Sequence, residues 1–360
     1  MKPTVALVNG AAKWDGTRFG AQTFRAALAE LGCGVTWYQC RDYGRDSDLP
    51  EADRMVRGLG FPVESIDMGL NRLFVYPRRL RAVREDVLFL MDPTLVDSAR
   101  GHARVAVRIH DLRPLSRFAD RWVTTRMYRH AIPRLREVAR VLAPTEATAV
   151  ELTSRGVPRG AIRIVPETQL LGLHPDHVER SARRVRETGE LRILCVSSDR
   201  PYKGVDLFLR LAAAGARVPS EPRLRFVLVS RLTASTHARV RREALDNLEV
   251  VQDVDDLTAT YDSCDLLAFP SYYEGFGRPL IEGMAFGLPV LAHRLPPMDA
   301  IVGDAGRLVR AGNLAEWLAA LHALTDESLR ATLGRRALAR AAEFTPDRFR
   351  AAVASAFADL

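Results

Sequence analysis

Pro270-Ser271-Tyr272-Tyr273-Glu274-Gly275-Phe276-Gly277-Arg278-Pro279-Leu280-Ile281-Glu282 decides how this chain is read. Asp265-Leu266-Leu267-Ala268-Phe269-Pro270 ahead of it has the length and apolarity of a short buried strand. Pro289-Val290-Leu291-Ala292 behind it reads as another, so the spacing predicts a strand-helix-strand crossover and a parallel sheet. Pro279 suits the first helical position, where its missing N–H costs nothing, and Gly287-Leu288-Pro289 supplies the stop. The helix between them is about eight residues, or ~12 Å. Its N-terminus opens toward the glycines, and its unpaired N–H groups and dipole make a natural seat for a phosphate. Gly275 and Gly277 let a ligand approach the backbone.

Glu274 lies in that loop and Glu282 one turn into the helix. Taken singly, a first-turn Glu often only complements the helix dipole, and glycines before a helix are often only a turn. Together they say more. A carboxylate can accept two hydrogen bonds from a vicinal diol, so two carboxylates flanking a phosphate seat match a ligand with hydroxyls on both sides of its phosphates. A nucleotide-sugar is such a ligand.

The same alternation recurs along the chain. Thr4 to Val8, Val35 to Gln39, Val87 to Met91, Val105 to Ile109 and Val138 to Ala143 read as strands. Between and after them, a glycine-containing loop runs from Asn9 to Gly20, and Ala21 to Leu31 and Ala147 to Ser154 are helical. Residues 1–170 form a first domain, and the polar stretch 171–190, with His174-Pro175-Asp176 and the charged run from Glu179 to Arg186, reads as a linker. Residues 191–344 form a second domain, opening on Leu191 to Val196 and continuing through Phe226 to Ser230 and Leu248 to Val251. A last helix, 345–360, has Thr345 as N-cap and Pro346 at N1. The expected fold class is α/β: two doubly wound Rossmann-like domains facing a central cleft.

Composition permits this and excludes little else. With 360 residues and 47% apolar content the chain can bury more than one core. Cys33, Cys40, Cys195 and Cys264 show neither a C-x-x-C pair nor His partners at zinc spacing, so reduced thiols and no metal are expected. The early apolar run is too short for a signal peptide and no run reaches membrane-span length, which makes the cytoplasm the default expectation. Residues 1–180 carry 28 Arg and Lys against 21 Asp and Glu, whereas residues 181–360 carry 24 against 23. The excess gathers between Arg100 and Arg140, with a smaller group at Arg72, Arg78, Arg79, Arg81 and Arg84 beside Phe74, Val75 and Tyr76. An anionic membrane surface, an acidic acceptor and an ordinary solvated face all stay open. Nucleic acid is not expected, since no recognition motif accompanies the charge.

Only Lys2, Lys13 and Lys203 are lysine; the other 49 of the 52 basic residues are arginine. Lys203 stands in Asp199-Arg200-Pro201-Tyr202-Lys203-Gly204, after the strand Leu191 to Val196, at the edge where α/β folds place ligands. A compact ammonium suits diphosphate oxygens where a planar guanidinium is bulky, although biased codon usage could also leave one lysine behind.

The run E-G-F-G-x-P-L-x-E, with seven residues between Glu274 and Glu282, followed by G-M-A-x-G-x-P-V, closely resembles the family 4 retaining glycosyltransferases of two-domain GT-B architecture. Asp256-Leu257, Tyr261 and Cys264-Asp265-Leu266 upstream, and Val302-Gly303-Asp304-Ala305-Gly306-Arg307-Leu308-Val309 downstream, extend the resemblance over roughly residues 190 to 355. It implies transfer of a sugar from a nucleotide-diphosphate sugar to an acceptor that the sequence does not name, without a metal or other cofactor. It gives Lys203 to the donor diphosphate, Glu274 with the backbone of Gly275, Phe276 and Gly277 to the sugar hydroxyls, and Glu282 to the ribose diol. His110-Asp111-Leu112 resembles the family's HD at a strand end, where the histidine faces the donor sugar. Gly20 resembles the second glycine of its first-loop pair, near the phosphates and acceptor. The terminal helix is expected to cross back to the first domain.

There are departures. Ser197-Ser198 replaces the usual Gly-Arg pair, so Arg200 is the expected second cation. Phe19 replaces the first glycine, Asp299 a common Glu, Glu167-Thr168 an Asn-Gly, Glu146 a common Ser, and Arg278 adds a charge at the loop. In the expected mechanism the phosphate takes the acceptor's proton and no protein nucleophile is assigned; a double displacement through Glu274 ranks lower. The rival functions are a nucleotide-sugar epimerase or hydrolase and a non-catalytic nucleotide-sugar-binding regulatory subunit.

Overall fold

A computed structural model describes residues 2–10, 16–41, 52–217, 221–254, 256–358 and 360. Residues 11–15 of the expected first loop, Lys13 among them, lie outside the described residues. The chain divides into two units, Met1–Glu167 with Asp347–Leu360, and Thr168–Pro346.

The first unit is built on β1 (Thr4–Asn9), β2 (Gly34–Arg41), β3 (Arg54–Arg57), β4 (Val87–Leu90), β5 (Val105–Arg108), β6 (Arg140–Ala143) and β7 (Ile162–Ile164). They form one parallel sheet in the order β3-β2-β1-β4-β5-β6-β7, with Val5 of β1 opposite Val35 on one side and Val87 on the other. Every residue of β4, β5 and β6 is buried, as expected where helices cover both faces of a parallel sheet. Alternation divides the strands between two cores: Ala6, Val8, Leu88 and Leu90 face one, and Val5, Leu7, Val87 and Phe89 the other. The helix Pro346–Phe357 closes the second of these cores, where Phe349 meets the Phe24 ring at 5.0 Å and Phe357 meets Phe89 at 5.2 Å.

The second unit repeats the plan with β8 (Glu190–Val196), β9 (Arg223–Val229), β10 (Leu248–Val251), β11 (Leu266–Phe269), β12 (Val290–His293) and β13 (Gly306–Val309), ordered β10-β9-β8-β11-β12-β13 and again all parallel. In each sheet the strand order reverses once, between β1 and β4 and between β8 and β11. The carboxyl ends of those pairs are where doubly wound folds place their ligands.

Three expectations are corrected. The stretch 171–190 is not a linker: His177–Thr188 is a helix of the second unit, and β8 begins at Glu190. Its buried stripe is His177, Val178, Ser181 and Val185, only two of them aliphatic, and polar contacts fix it. Ser181 Oγ donates to the buried Asp265 carboxylate at 2.7 Å, and Arg184 reaches the same carboxylate at 2.5 Å. The first unit stops at Glu167 and not at residue 170. Gly16–Gly20, expected in a loop, belongs to the helix Gly16–Glu30. Among the described residues no helix is long and apolar enough to cross a membrane.

Candidate functional site

The loops leaving β8 and β11 meet at the second sheet's reversal point. Tyr272 N–H donates to the Tyr202 carbonyl at 2.8 Å, and Gly204 lies so close to Pro270 that a Cβ there would fall 2.1 Å from its carbonyl oxygen. Gly204 also has φ +72°, so only glycine fits without strain. This contact carries Lys203 to Glu274. The Lys203 ammonium donates to both carboxylate oxygens, at 2.8 and 2.7 Å, with the Glu274 side chain almost wholly buried. The two residues named for the diphosphate and the sugar are therefore one ion pair, drawn together from 71 positions apart.

Directly behind them stands the helix Arg278–Ala285, capped by Gly277 at φ +97°. Arg278 takes the first helical position and Pro279 follows it, which corrects the placement of Pro279 at that first position. Phe276 turns its ring into the core against Phe344 at 5.6 Å, leaving its backbone as the part a ligand can use. Glu282 is buried, with one oxygen accepting from Tyr261 OH at 2.9 Å and the other from Arg278 at 2.8 Å. Arg278 was expected to add charge to the loop; it neutralises Glu282 one turn along instead. Burial first, then the neighbouring Glu282 charge, pushes the Tyr261 phenol well above its ordinary range, so it stays a donor.

Arg200 is exposed, with its N–H bonded to the Ser198 carbonyl at 2.7 Å. Asp199, at the same loop, accepts from both the N–H and the hydroxyl of Thr233 at 2.7 Å. Sequence reasoning missed His293, at the end of β12. Its Nε2 accepts from Gly312 N–H at 3.4 Å, which leaves the proton on Nδ1 to donate to the Ser271 carbonyl at 3.2 Å. The ring sits tilted against Tyr272 at 4.6 Å and nearly perpendicular to Trp317 at 5.1 Å, and burial pulls its pKa down, so it is a neutral prop under the Ser271–Tyr272 turn. No motif spacing announces it; the one sequence signal was a histidine closing an apolar strand.

In the first unit, His110 follows β5 and is partly exposed, with Nδ1 4.0 Å from the Glu167 carboxylate. Glu167 is buried against Arg108, and the Arg108 guanidinium lies over Phe24 at 5.1 Å and against Gly20, where a Cβ would fall 1.9 Å from Nη1. Gly20 and His110 thus belong to one cluster, organised by Arg108 and Glu167. Arg108 was missed because it reads as one more arginine in a basic stretch. Among the described residues no group of three or more His, Cys, Asp or Glu is placed to hold a metal ion, and Cys40, Cys195 and Cys264 are buried free thiols.

Comparison with known proteins fits this plan. Solved structures of like fold include the Anabaena protein HepE in complex with UDP and glucose (TM-score 0.79, 17% identity, all of both chains) and the sucrose-phosphate synthase of Thermosynechococcus elongatus (TM-score 0.79, 20% identity, 98% of both). Among curated proteins, a D-inositol 3-phosphate glycosyltransferase of Nocardia farcinica is 32% identical over 229 residues, 58% of this chain and 50% of the relative. An MMP alpha-(1->4)-mannosyltransferase of Mycolicibacterium hassiacum is 30% identical over 199 residues, 53% and 46% of the two chains. The chain spans about half the length of the curated relatives it matches. Residues 14–167 match the model of Glycosyltransferase Family 4, residues 190–327 match that of Glycosyl transferases group 1, and on those two matched halves the chain belongs to the family 4/group 1 glycosyltransferases.

Proposed function

We propose that this chain moves a sugar from a nucleotide-diphosphate sugar to an acceptor, with retention of the anomeric configuration. The observation that carries the reading is the pairing of Lys203 with Glu274 at the reversal point of the second sheet, beside the Gly277-capped helix end. The UDP and glucose named for the HepE structure agree with the donor class.

The arrangement suits a charge exchange. Both Glu274 oxygens are held by Lys203. An arriving diphosphate competes for the ammonium, and the freed carboxylate can turn to the hydroxyls of the sugar. As the glycosidic bond breaks, negative charge grows on the phosphate while the sugar becomes oxocarbenium-like. Lys203, Arg200 and the N–H groups at the start of Arg278–Ala285 are assigned the phosphate. Glu274, with the backbone of Gly275, Phe276 and Gly277, is assigned the sugar, and Glu282 the ribose diol. Glu282 is already oriented by Tyr261 and Arg278, so little freedom remains to be lost when a diol binds. The departing phosphate oxygen takes the acceptor's proton on the face it leaves, and no protein nucleophile is required. His110 and Gly20 are assigned the sugar and acceptor end of the reaction.

A thermal-shift screen against nucleotide sugars tests this. A donor at 100 times its Kd stabilises the fold by about 2.7 kcal/mol. Lys203→Ala and Glu282→Ala are expected to abolish the shift, and Glu274→Ala to keep most of it while turnover is lost. A full shift surviving Lys203→Ala would contradict the assignment.

A further inference from the structure

The segment from Val63 to Val75 buries three polar side chains beside Met68 and exposes several large apolar ones. Asp67, Asn71 and Arg72 are buried, Arg72 to 1% exposure, while Ile66, Leu73 and Phe74 face solvent, Phe74 at 54%. The polar side points inward because it is bonded there. Asp67 accepts from Phe61 N–H and from Asn71 Nδ2, both at 2.7 Å, and Asn71 accepts from Leu59 N–H at 2.8 Å. Arg72 donates to Asp92 at 3.0 Å, to Thr94 at 2.5 Å and to the Gly10 carbonyl at 3.0 Å, which ties the segment to the loops after β1 and β4.

The same bonds fix the apolar side outward. Leu59 and Phe61, held by Asn71 and Asp67, are exposed beside the helix Glu64–Leu70. Arg121 bridges Glu64 at 3.2 Å and so holds Trp122, 72% exposed, near that helix's first turn. Of the twelve large apolar side chains exposed among the described residues, seven lie between Met55 and Phe74 and an eighth is Trp122, so exposed apolar surface is concentrated in this part of the first unit. Arg78, Arg79 and Arg81, in the turns directly after Phe74, are all exposed.

We propose that this face docks the protein on an anionic membrane surface, with Leu73, Phe74 and Trp122 entering the headgroup boundary and Arg78, Arg79 and Arg81 pairing with lipid phosphates. The flanking charge decides between occupants. A second copy of this chain would set its own arginines against the same arginines, whereas an anionic bilayer complements them. Exposed apolar side chains flanked by arginines also suit an interfacial, non-spanning contact. Through Arg72 the docked segment is tied to the loops at the carboxyl edge of the first sheet. The inference goes beyond the transfer reaction, since binding requires no donor.

Co-sedimentation of the full chain with vesicles of phosphatidylcholine alone, or mixed with phosphatidylglycerol, tests it. Wild type is expected in the pellet only with phosphatidylglycerol, and less so at high salt. Leu73→Ser/Phe74→Ser/Trp122→Ser should weaken that partition at least about tenfold, and Arg78→Gln/Arg79→Gln/Arg81→Gln should remove the preference for the anionic lipid. These side chains are exposed, so an unchanged thermal midpoint shows that the variants fold. Wild type remaining in the supernatant with both vesicles overturns the proposal. So does equal pelleting of the apolar variant, or a dimer in sedimentation equilibrium that Phe74→Ser dissociates.

Discussion

Gly204 shows how much one position governs here. Its αL backbone and its contact with the Pro270 carbonyl together set the distance between the two loops that bear Lys203 and Glu274. Gly204→Ala meets backbone, not a flexible side-chain end, so a loss of about 2 kcal/mol or more in urea unfolding is expected, along with loss of the ion pair. His293 gives a pH dependence. Burial lowers its pKa, and His177 is lowered by burial too, so the folded state binds fewer protons than the unfolded chain just below the ordinary histidine pKa. Their contribution to stability is complete above about pH 6.5 and declines as pH falls from there toward the lowered folded values. His293→Asn, whose amide can copy the bond to the Ser271 carbonyl, should flatten part of that decline in melts across the range. An unchanged slope would mean that His293 is not buried neutral.

Among the elements, the last helix is the one whose place sequence distance disguises. It begins after the second unit ends and buries Phe349, Val353 and Phe357 in the first unit's core. Phe349 presents its ring edge to Phe24, the ring over which Arg108 also lies. Phe349→Ala is therefore expected to cost about 3–5 kcal/mol through the cavity left beside Phe24. Hydrogen exchange should place that loss in residues 16–30 and 87–90 and leave β8 to β13 protected. Loss confined to the second unit would sink this account of the helix. Short buried strands such as Leu266–Phe269 were legible because four apolar residues in a row between turn signals have few other homes. Arg54–Arg57 and Ile162–Ile164 were not, since edge strands carry too few apolar residues to signal themselves.

At the scale of the molecule, composition and alternation were enough to give two doubly wound α/β units, and the glycine-carboxylate run was enough to suggest a ligand with hydroxyls on both sides of its phosphates; the transferase class came from the resemblance of that run to a known family. The first two rest on local physics: strand and helix periods, a proline and glycines where the backbone demands them, and a carboxylate spaced one turn into a helix. What the sequence could not give were the pairings. Lys203 with Glu274, Tyr261 with Glu282, Arg108 against Gly20 and His293 beneath Ser271 each join residues that only strand order brings together. The inward polar face of the segment around Arg72 likewise reverses the pattern that hydrophobicity alone predicts, because its partners come from loops after β1 and β4. A chain's own periodicity reports what each segment can bury; which charge meets which is decided by topology, and that exists only once the sheets have formed.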